Sequence, residues 1–208
     1  MGLFARGIVV VLGLMSLASL GVTLERILFF MKSKGDSIRY AQSVEKLLAE
    51  GRLKDVAGKK AGDSGGYLGR VVDAGIKAFV RAEGAHGEYI VESVGRALER
   101  QAQREIQTLK RGQSVVATVS STAPFVGLLG TVMGIVNSFQ AMASSGSGGL
   151  GTVSAGIAEA LITTAFGLFV AVPAVWAFNY FNGKVEGFNV EMDNSSSELL
   201  DYFIKKGA

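Results

Sequence analysis

Charged residues vanish from this chain in three places. Between Arg6 and Glu25 lie 18 uncharged residues, between Arg111 and Glu159 lie 47, and between Glu159 and Lys184 lie 24. A helix needs about 20 apolar residues to cross the hydrocarbon core of a bilayer. The first run reaches that length, and Ile27 to Met31 extend it. The second can hold one helix, a turn and the start of another, which the third continues past Glu159. The pattern predicts three membrane helices, over about 4–31, 114–143 and 151–182. Ser144-Ser145-Gly146-Ser147-Gly148-Gly149 is an uncharged, flexible turn too short to hold a domain. The last two spans are therefore expected to form a hairpin over 113–183, with its turn at 144–150.

The intervening stretch, 32–112, is patterned differently. Ile38, Ala41, Val44, Leu47 and Leu48 recur at helical spacing, as do Val71, Ala74 and Ala78, and then Ile90, Val94, Ala97 and Leu98. Gly58 to Gly69 reads as a glycine-rich connection, and Glu88–Lys110 as a charged helix running into the second span without a breaker. Apolar content is too low for a large independent core, so long helices projecting from the membrane are expected. In the tail, 184–208, Phe188, Met192, Leu199 and Phe203 suggest a weaker amphipathic helix. The fold class is all-α membrane protein: three transmembrane helices with long helical extensions.

Loop charges give an orientation. Residues 32–112 carry 16 Lys and Arg against 11 Asp and Glu, and the hairpin turn carries none. Only Arg6 precedes the body of the first span, 1–31, whereas Lys32, Lys34 and Arg39 follow it. The positive-inside rule places 32–112 and the tail in the cytoplasm, with the N-terminus and the 144–150 turn on the periplasmic side. A cleaved signal peptide ending near Ala18-Ser19-Leu20 is the competing reading of the first run. It is disfavoured because apolar character continues to Met31 and a basic cluster follows at once.

Composition narrows the chemistry. The 208 residues are 49% hydrophobic and 19% charged, and the mean hydropathy is +0.34. With no cysteine, disulfide scaffolds, thiolate nucleophiles and cysteine zinc sites are excluded. One histidine, His86, argues against a histidine metal site or a serine–histidine triad and reads as a solvated loop residue. A net charge of +3 gives no pointer to nucleic acid. Walker, dinucleotide and zincin motifs are absent, so no enzyme activity, cofactor or metal is expected. The 28 glycines find a use in the hairpin. Gly127, Gly130 and Gly134 on one helix, with Gly156, Ala160 and Gly167 on the other, would allow close helix approach in lipid. Pro124 and Pro173 each remove a mid-membrane helix hydrogen bond, which neighbours can repair. Trp176, Phe178, Tyr180 and Phe181 are expected to form an interfacial aromatic belt.

Glu159 is the anomaly. A charge at bilayer depth costs about 2.5–3.5 kcal/mol on insertion scales, so such residues face a bundle interior or a wet cavity. Thr152 and Thr163 stand at i−7 and i+4 from it, on its own helix face, while Thr164 is about 140° away. The second span offers Thr118, Ser121, Thr122 and Thr131, with Asn137 and Ser138 further out. Hydroxyls both donate and accept, so they can link water chains through a pore. The competing reading makes Glu159 a structural acid near the outer interface, and lets the hydroxyls bond carbonyls of their own helix.

These residues carry a resemblance. Ala123-Pro-Phe-Val-Gly-Leu-Leu-Gly-Thr-Val-Met-Gly-Ile-Val-Asn-Ser-Phe139 resembles the second-helix signature of the MotA/TolQ/ExbB proton-channel family. Gly156-Ile-Ala-Glu-Ala-Leu-Ile-Thr-Thr-Ala-Phe-Gly-Leu168 with Ala171-Val-Pro-Ala174 resembles its third-helix signature, and Val22-Thr-Leu-Glu-Arg-Ile-Leu28 the end of its first. Three spans match the ExbB and TolQ branch, since flagellar stator subunits of the family have four. The resemblance implies an inner-membrane homopentamer around the single-span helices of two ExbD- or TolR-like partners, each carrying a membrane Asp. Proton flow would move one part against the other and reach a TonB- or TolA-like force transducer. It maps the pore onto Thr131, Glu159 and Thr164; the choice of Thr164 rests on the resemblance alone, since spacing favours Thr163. ExbB-like outer-membrane transport is the expected role, with TolQ-like envelope maintenance or a gliding-type motor as alternatives. Outside that class stand a non-conducting scaffold and a small transporter; the latter predicts inverted repeats, and none is visible.

Overall fold

A computed structural model describes residues 2–49, 65–84, 86–144 and 150–205. They form five helices: α1 Leu3–Ala49, α2 Gly66–Arg81, α3 Gly87–Lys110, α4 Gln113–Ser144 and α5 Leu150–Lys205. Three of these, α1, α4 and α5, are long and apolar enough to cross a membrane. Most of the expected turn at 144–150, and the Gly58–Ser64 part of the expected connection, lie outside the described residues.

Helices α1 and α5 run well past the predicted spans, to 47 and 56 residues. The reason lies in spacing rather than hydrophobicity. Buried positions on α5 step by three, four or seven from Ala160, Thr163, Gly167, Val170 and Ala174 through Phe181, Val185, Phe188, Met192, Leu199 and Phe203. One buried stripe therefore continues where the charges begin, and the tail is part of α5 rather than a separate weak helix. On α1 the stripe passes from Ile8 and Leu12 through Arg26, Phe30, Ser33 and Ser37 to Val44.

The run from α3 into α4 differs from expectation, because a breaker separates them. Arg111 leaves the helical region at ψ 133° and Gly112 adopts φ +79°. Glycine takes the left-handed conformation without the Cβ penalty, which ends one helix and frees the next to start at Gln113.

The chain divides into two compact units, Met1–Glu25 with Gly112–Phe181, and Arg26–Arg111 with Asn182–Ala208. In the first, Ile8 and Leu12 of α1 pack with Val116, Val119 and Ala123 of α4 and Val170, Ala171 and Ala174 of α5. Large apolar side chains cover its outside, among them Leu17, Phe125 and Phe169. A surface of this kind suits lipid rather than water. Trp176 and Tyr180 point outward as an aromatic belt requires, but Phe181 is fully buried and Phe178 packs against the core. Phe181 lies seven residues after Ala174, on the same buried stripe.

The second unit has the core that residues 32–112 were expected to lack, because α5 supplies the missing apolar surface. Phe188 takes Tyr67 at 4.5 Å and Phe30 at 5.7 Å between ring centroids, and Phe203 stacks on Phe79 at 4.1 Å. Such pairs add about 0.5–1.5 kcal/mol beyond area burial. Gly75 lets α2 approach closely: a Cβ there would lie 2.6 Å from Leu98 and 3.0 Å from Leu199. Arg70 grips the buried Glu105 with two hydrogen bonds, at 2.8 and 2.6 Å, and Gln101 adds a third at 2.8 Å. Arg26, only 5% exposed, lies over the Phe29 ring at 4.8 Å and donates to the Thr108 carbonyl at 3.4 Å. The expected glycine connection ends earlier than predicted, since Gly66 already opens α2 with φ +59°. His86 is exposed at the N-cap position of α3 and makes no side-chain cap hydrogen bond.

Candidate functional site

Within the first unit, α4 and α5 cross on small residues. A Cβ built on Gly127 would sit 2.8 Å from the Thr163 carbonyl oxygen and 3.1 Å from the Cα atoms of Gly167 and Thr164. On Gly167 it would sit 2.7 Å from the Ala123 carbonyl oxygen and 3.0 Å from Gly127 Cα. The close approach continues along the helices: a Cβ on Gly134 would lie 2.6 Å from the Ala160 Cβ, one on Gly130 would run into the Thr163 side chain and one on Gly156 into the Ser138 hydroxyl. Backbone touches backbone, which only glycine permits. Pro124 and Pro173 lie inside α4 and α5 respectively.

That proximity brings hydroxyls of one helix onto carbonyls of the other. The Thr131 hydroxyl lies 3.1 Å from the Ala160 carbonyl, and the Thr164 hydroxyl 3.2 Å from the Gly127 carbonyl. The two hydroxyls also hydrogen-bond each other. Each carries a single proton. Two settings follow: Thr164 donates to Thr131 while Thr131 donates to Ala160, or Thr131 donates to Thr164 while Thr164 donates to Gly127. Thr163 is fully buried and donates to the Ala160 carbonyl at 2.7 Å, with the Gly127 carbonyl at 3.2 Å. Three threonines thus converge on two carbonyls.

Glu159 stands one turn before them on α5. Its Oε1 accepts a hydrogen bond from the Gly2 backbone amide at 2.5 Å, where α1 begins. The first amides of a helix have no partner within it and carry partial positive charge, so a carboxylate is favoured there. Glu159 is half-buried and lines a cleft of about 250 Å³ together with Asn137, Ser138, Gly134 and Gly156. Ser138 is buried and donates to the Gly134 carbonyl at 2.8 Å.

Other expected hydroxyls are not drawn into this group. Thr122 donates to the Thr118 carbonyl at 2.6 Å, Thr118 to Ser114 at 2.8 Å and Ser121 to Ala117 at 3.0 Å, all within α4. This is the back-bonding habit of serine and threonine in apolar helices. The Thr152 side chain lies outside the described residues. Sequence reasoning passed over the amide of Gly2, whose role depends on where α1 begins in space. Ser138, placed by the sequence further out on the second span, lies four residues after Gly134 on the same face and lines the Glu159 cleft.

Three apolar helices, two of them crossed on glycine and sharing buried hydroxyls, define a polytopic helical membrane protein with polar groups inside its membrane segment. The chain belongs to the MotA/TolQ/ExbB proton channel family, whose model matches residues 66–194. It is 45% identical over 127 residues to the Tol-Pal system protein TolQ of Pseudomonas aeruginosa, covering 60% of this chain and 54% of that protein. It is 44% identical over 128 residues to the biopolymer transport protein ExbB of Xanthomonas campestris, covering 59% and 51%. To TolQ of Haemophilus influenzae it is 38% identical over 128 residues, covering 60% and 56%. The chain spans about half the length of the curated relatives it matches. The three apolar helices and these relatives fit a multi-pass inner-membrane protein of a channel-type family.

Proposed function

We propose that this chain is a proton-channel subunit of a motor driven by the proton-motive force. Several copies, five by family resemblance, surround the single-span helices of two ExbD- or TolR-like partners. The N-terminus is periplasmic, and residues 32–112 and 184–208 are cytoplasmic. The proton route runs past Glu159, Thr131 and Thr164, and the movement it drives reaches a TonB- or TolA-like transducer.

The observation that supports this reading most is the Thr131–Thr164 pair. Its two donor settings exchange by rotating hydroxyls, with no bulk rearrangement of packed helices. A carboxyl one turn away can take up and release the proton at one end. One charge crossing 100 mV yields about 2.3 kcal/mol, enough to bias a conformational step. ExbB-like transport across the outer membrane is the role we favour. The equally close TolQ relative, at 45% against 44% identity, makes envelope maintenance the second reading.

The test is proton flux into vesicles holding the chain with its single-span partner, under an imposed potential. Glu159→Ala is expected to abolish flux in a complex that still assembles. Thr131→Val and Thr164→Val are each expected to slow it about tenfold, ~1.4 kcal/mol on the barrier. Undiminished flux in all three variants refutes the pathway and favours a passive scaffold.

A further inference from the structure

The second unit carries two exposed features of opposite charge. A groove of about 830 Å³ runs between α2 and α3, lined by Arg70, Lys77, Arg81, Arg100 and Arg104, with Asp73 the one acid among its described lining residues. Alanines at 74, 78, 82 and 97 line it too, which leaves room for a helix to approach. Arg70 is engaged by Glu105 and Lys77 by Asp73, each at 2.6 Å. Arg81, Arg100 and Arg104 have no carboxylate at ion-pair distance among the described residues.

On α5 the charges reverse. Glu186, Asp193 and Asp201 are exposed and fall within about 80° of one helix face. They too form no ion pair among the described residues. From Glu186 to Asp201 is fifteen residues, as is the lined part of α3 from Tyr89 to Arg104. Each therefore spans ~22 Å.

We infer that the α2–α3 groove receives the acidic face of α5 from a second copy of this chain. Three uncommitted cations meet three uncommitted carboxylates over equal length. A compact phosphate group would reach only part of such a groove. The two faces differ, so the contact is heterologous: each copy offers its groove to one neighbour and its stripe to another, and a closed ring satisfies all of them. The inference rests on the multi-copy reading proposed above and adds the surfaces by which copies meet.

The absence of cysteine makes the test direct. Full-length chains carrying Arg100→Cys and differently tagged chains carrying Asp193→Cys are co-expressed and treated with a short bis-maleimide linker. A mixed-tag dimer is expected. Lys184→Cys, about 160° round α5 from Glu186, is expected to give none with the same partner. Reversing the groove (Arg81→Glu, Arg100→Glu, Arg104→Glu) should lower the assembled fraction about tenfold, since like charges then face each other. Reversing the stripe (Glu186→Lys, Asp193→Lys, Asp201→Lys) should do the same, and combining both sets should restore assembly. No mixed-tag dimer, or no restoration in the combined variant, overturns the inference, as would anionic vesicles alone occupying the groove. A parent complex that conducts no protons while the mixed-tag dimer forms counts against the proton route only; flux in the parent complex without a mixed-tag dimer counts against this interface only.

Discussion

A glycine can be essential or idle within the same membrane segment, and the difference is what lies where its Cβ would go. Gly167 faces backbone on two sides, at 2.7 and 3.0 Å, so any side chain must push α4 and α5 apart. Gly13 has nothing within 4 Å. Replacing a helical glycine by alanine gains up to about 1 kcal/mol of helix propensity, while overpacking costs about 1–3 kcal/mol. Gly167→Ala is therefore expected to destabilise the protein by roughly 1 kcal/mol net, and Gly13→Ala to be neutral or stabilising by less than that. Thermal melts of the two variants in the same detergent check the sign of each. Glycine content alone could not separate them, since both stand in apolar runs. The G-x-x-x-G spacing of Gly130 and Gly134 pointed to the right helix, while Gly127 and Gly167 hold the closest backbone approach.

Among the elements, existence was easy to read and extent was not. Three charge-free runs announced three spans, because nothing but bilayer or deep core tolerates so few charges. The ends of α1 and α5 escaped notice because hydrophobicity falls at Lys32 and Lys184 while the buried spacing persists. The Gly112 breaker was missed for a related reason: a single glycine in a helical pattern does not reveal its φ angle. Spacing likewise grouped Thr163 with Glu159, but only the crossing geometry decides which hydroxyls meet across helices. Within the second unit, spin labels at Lys184 and Asp201 of α5 should lie ~26 Å apart, from 17 residues at 1.5 Å each. Gly187→Pro, at a position with nothing within 4 Å, removes a helix hydrogen bond at a cost of about 3 kcal/mol. It should shorten and broaden that distance; an unchanged distribution would show two helices already uncoupled there.

For the whole molecule, alkaline pH offers a probe of the second unit alone. Tyr67 is buried and donates its phenolic proton to Glu191. Burial first, and then the neighbouring carboxylate, push its ionisation well above the ordinary tyrosine value of 10.0. A group whose pKa rises on folding contributes fully below its unfolded value and loses that contribution as pH climbs toward the folded one. Stability should thus fall above pH 10 in the parent and fall less steeply in Tyr67→Phe, as followed by denaturant melts between pH 8 and pH 11. Identical slopes would mean the phenol is not held by that contact.

Where Gly127 and Gly167 leave no space for a methyl group, they leave none for a solvent molecule either. The crossing is a gasket: the interior of the hairpin is sealed at its midpoint, and leakage straight between the two rods is blocked. On the proposed reading the proton route therefore runs along the flank of the hairpin, where Thr164 and Glu159 keep partial exposure.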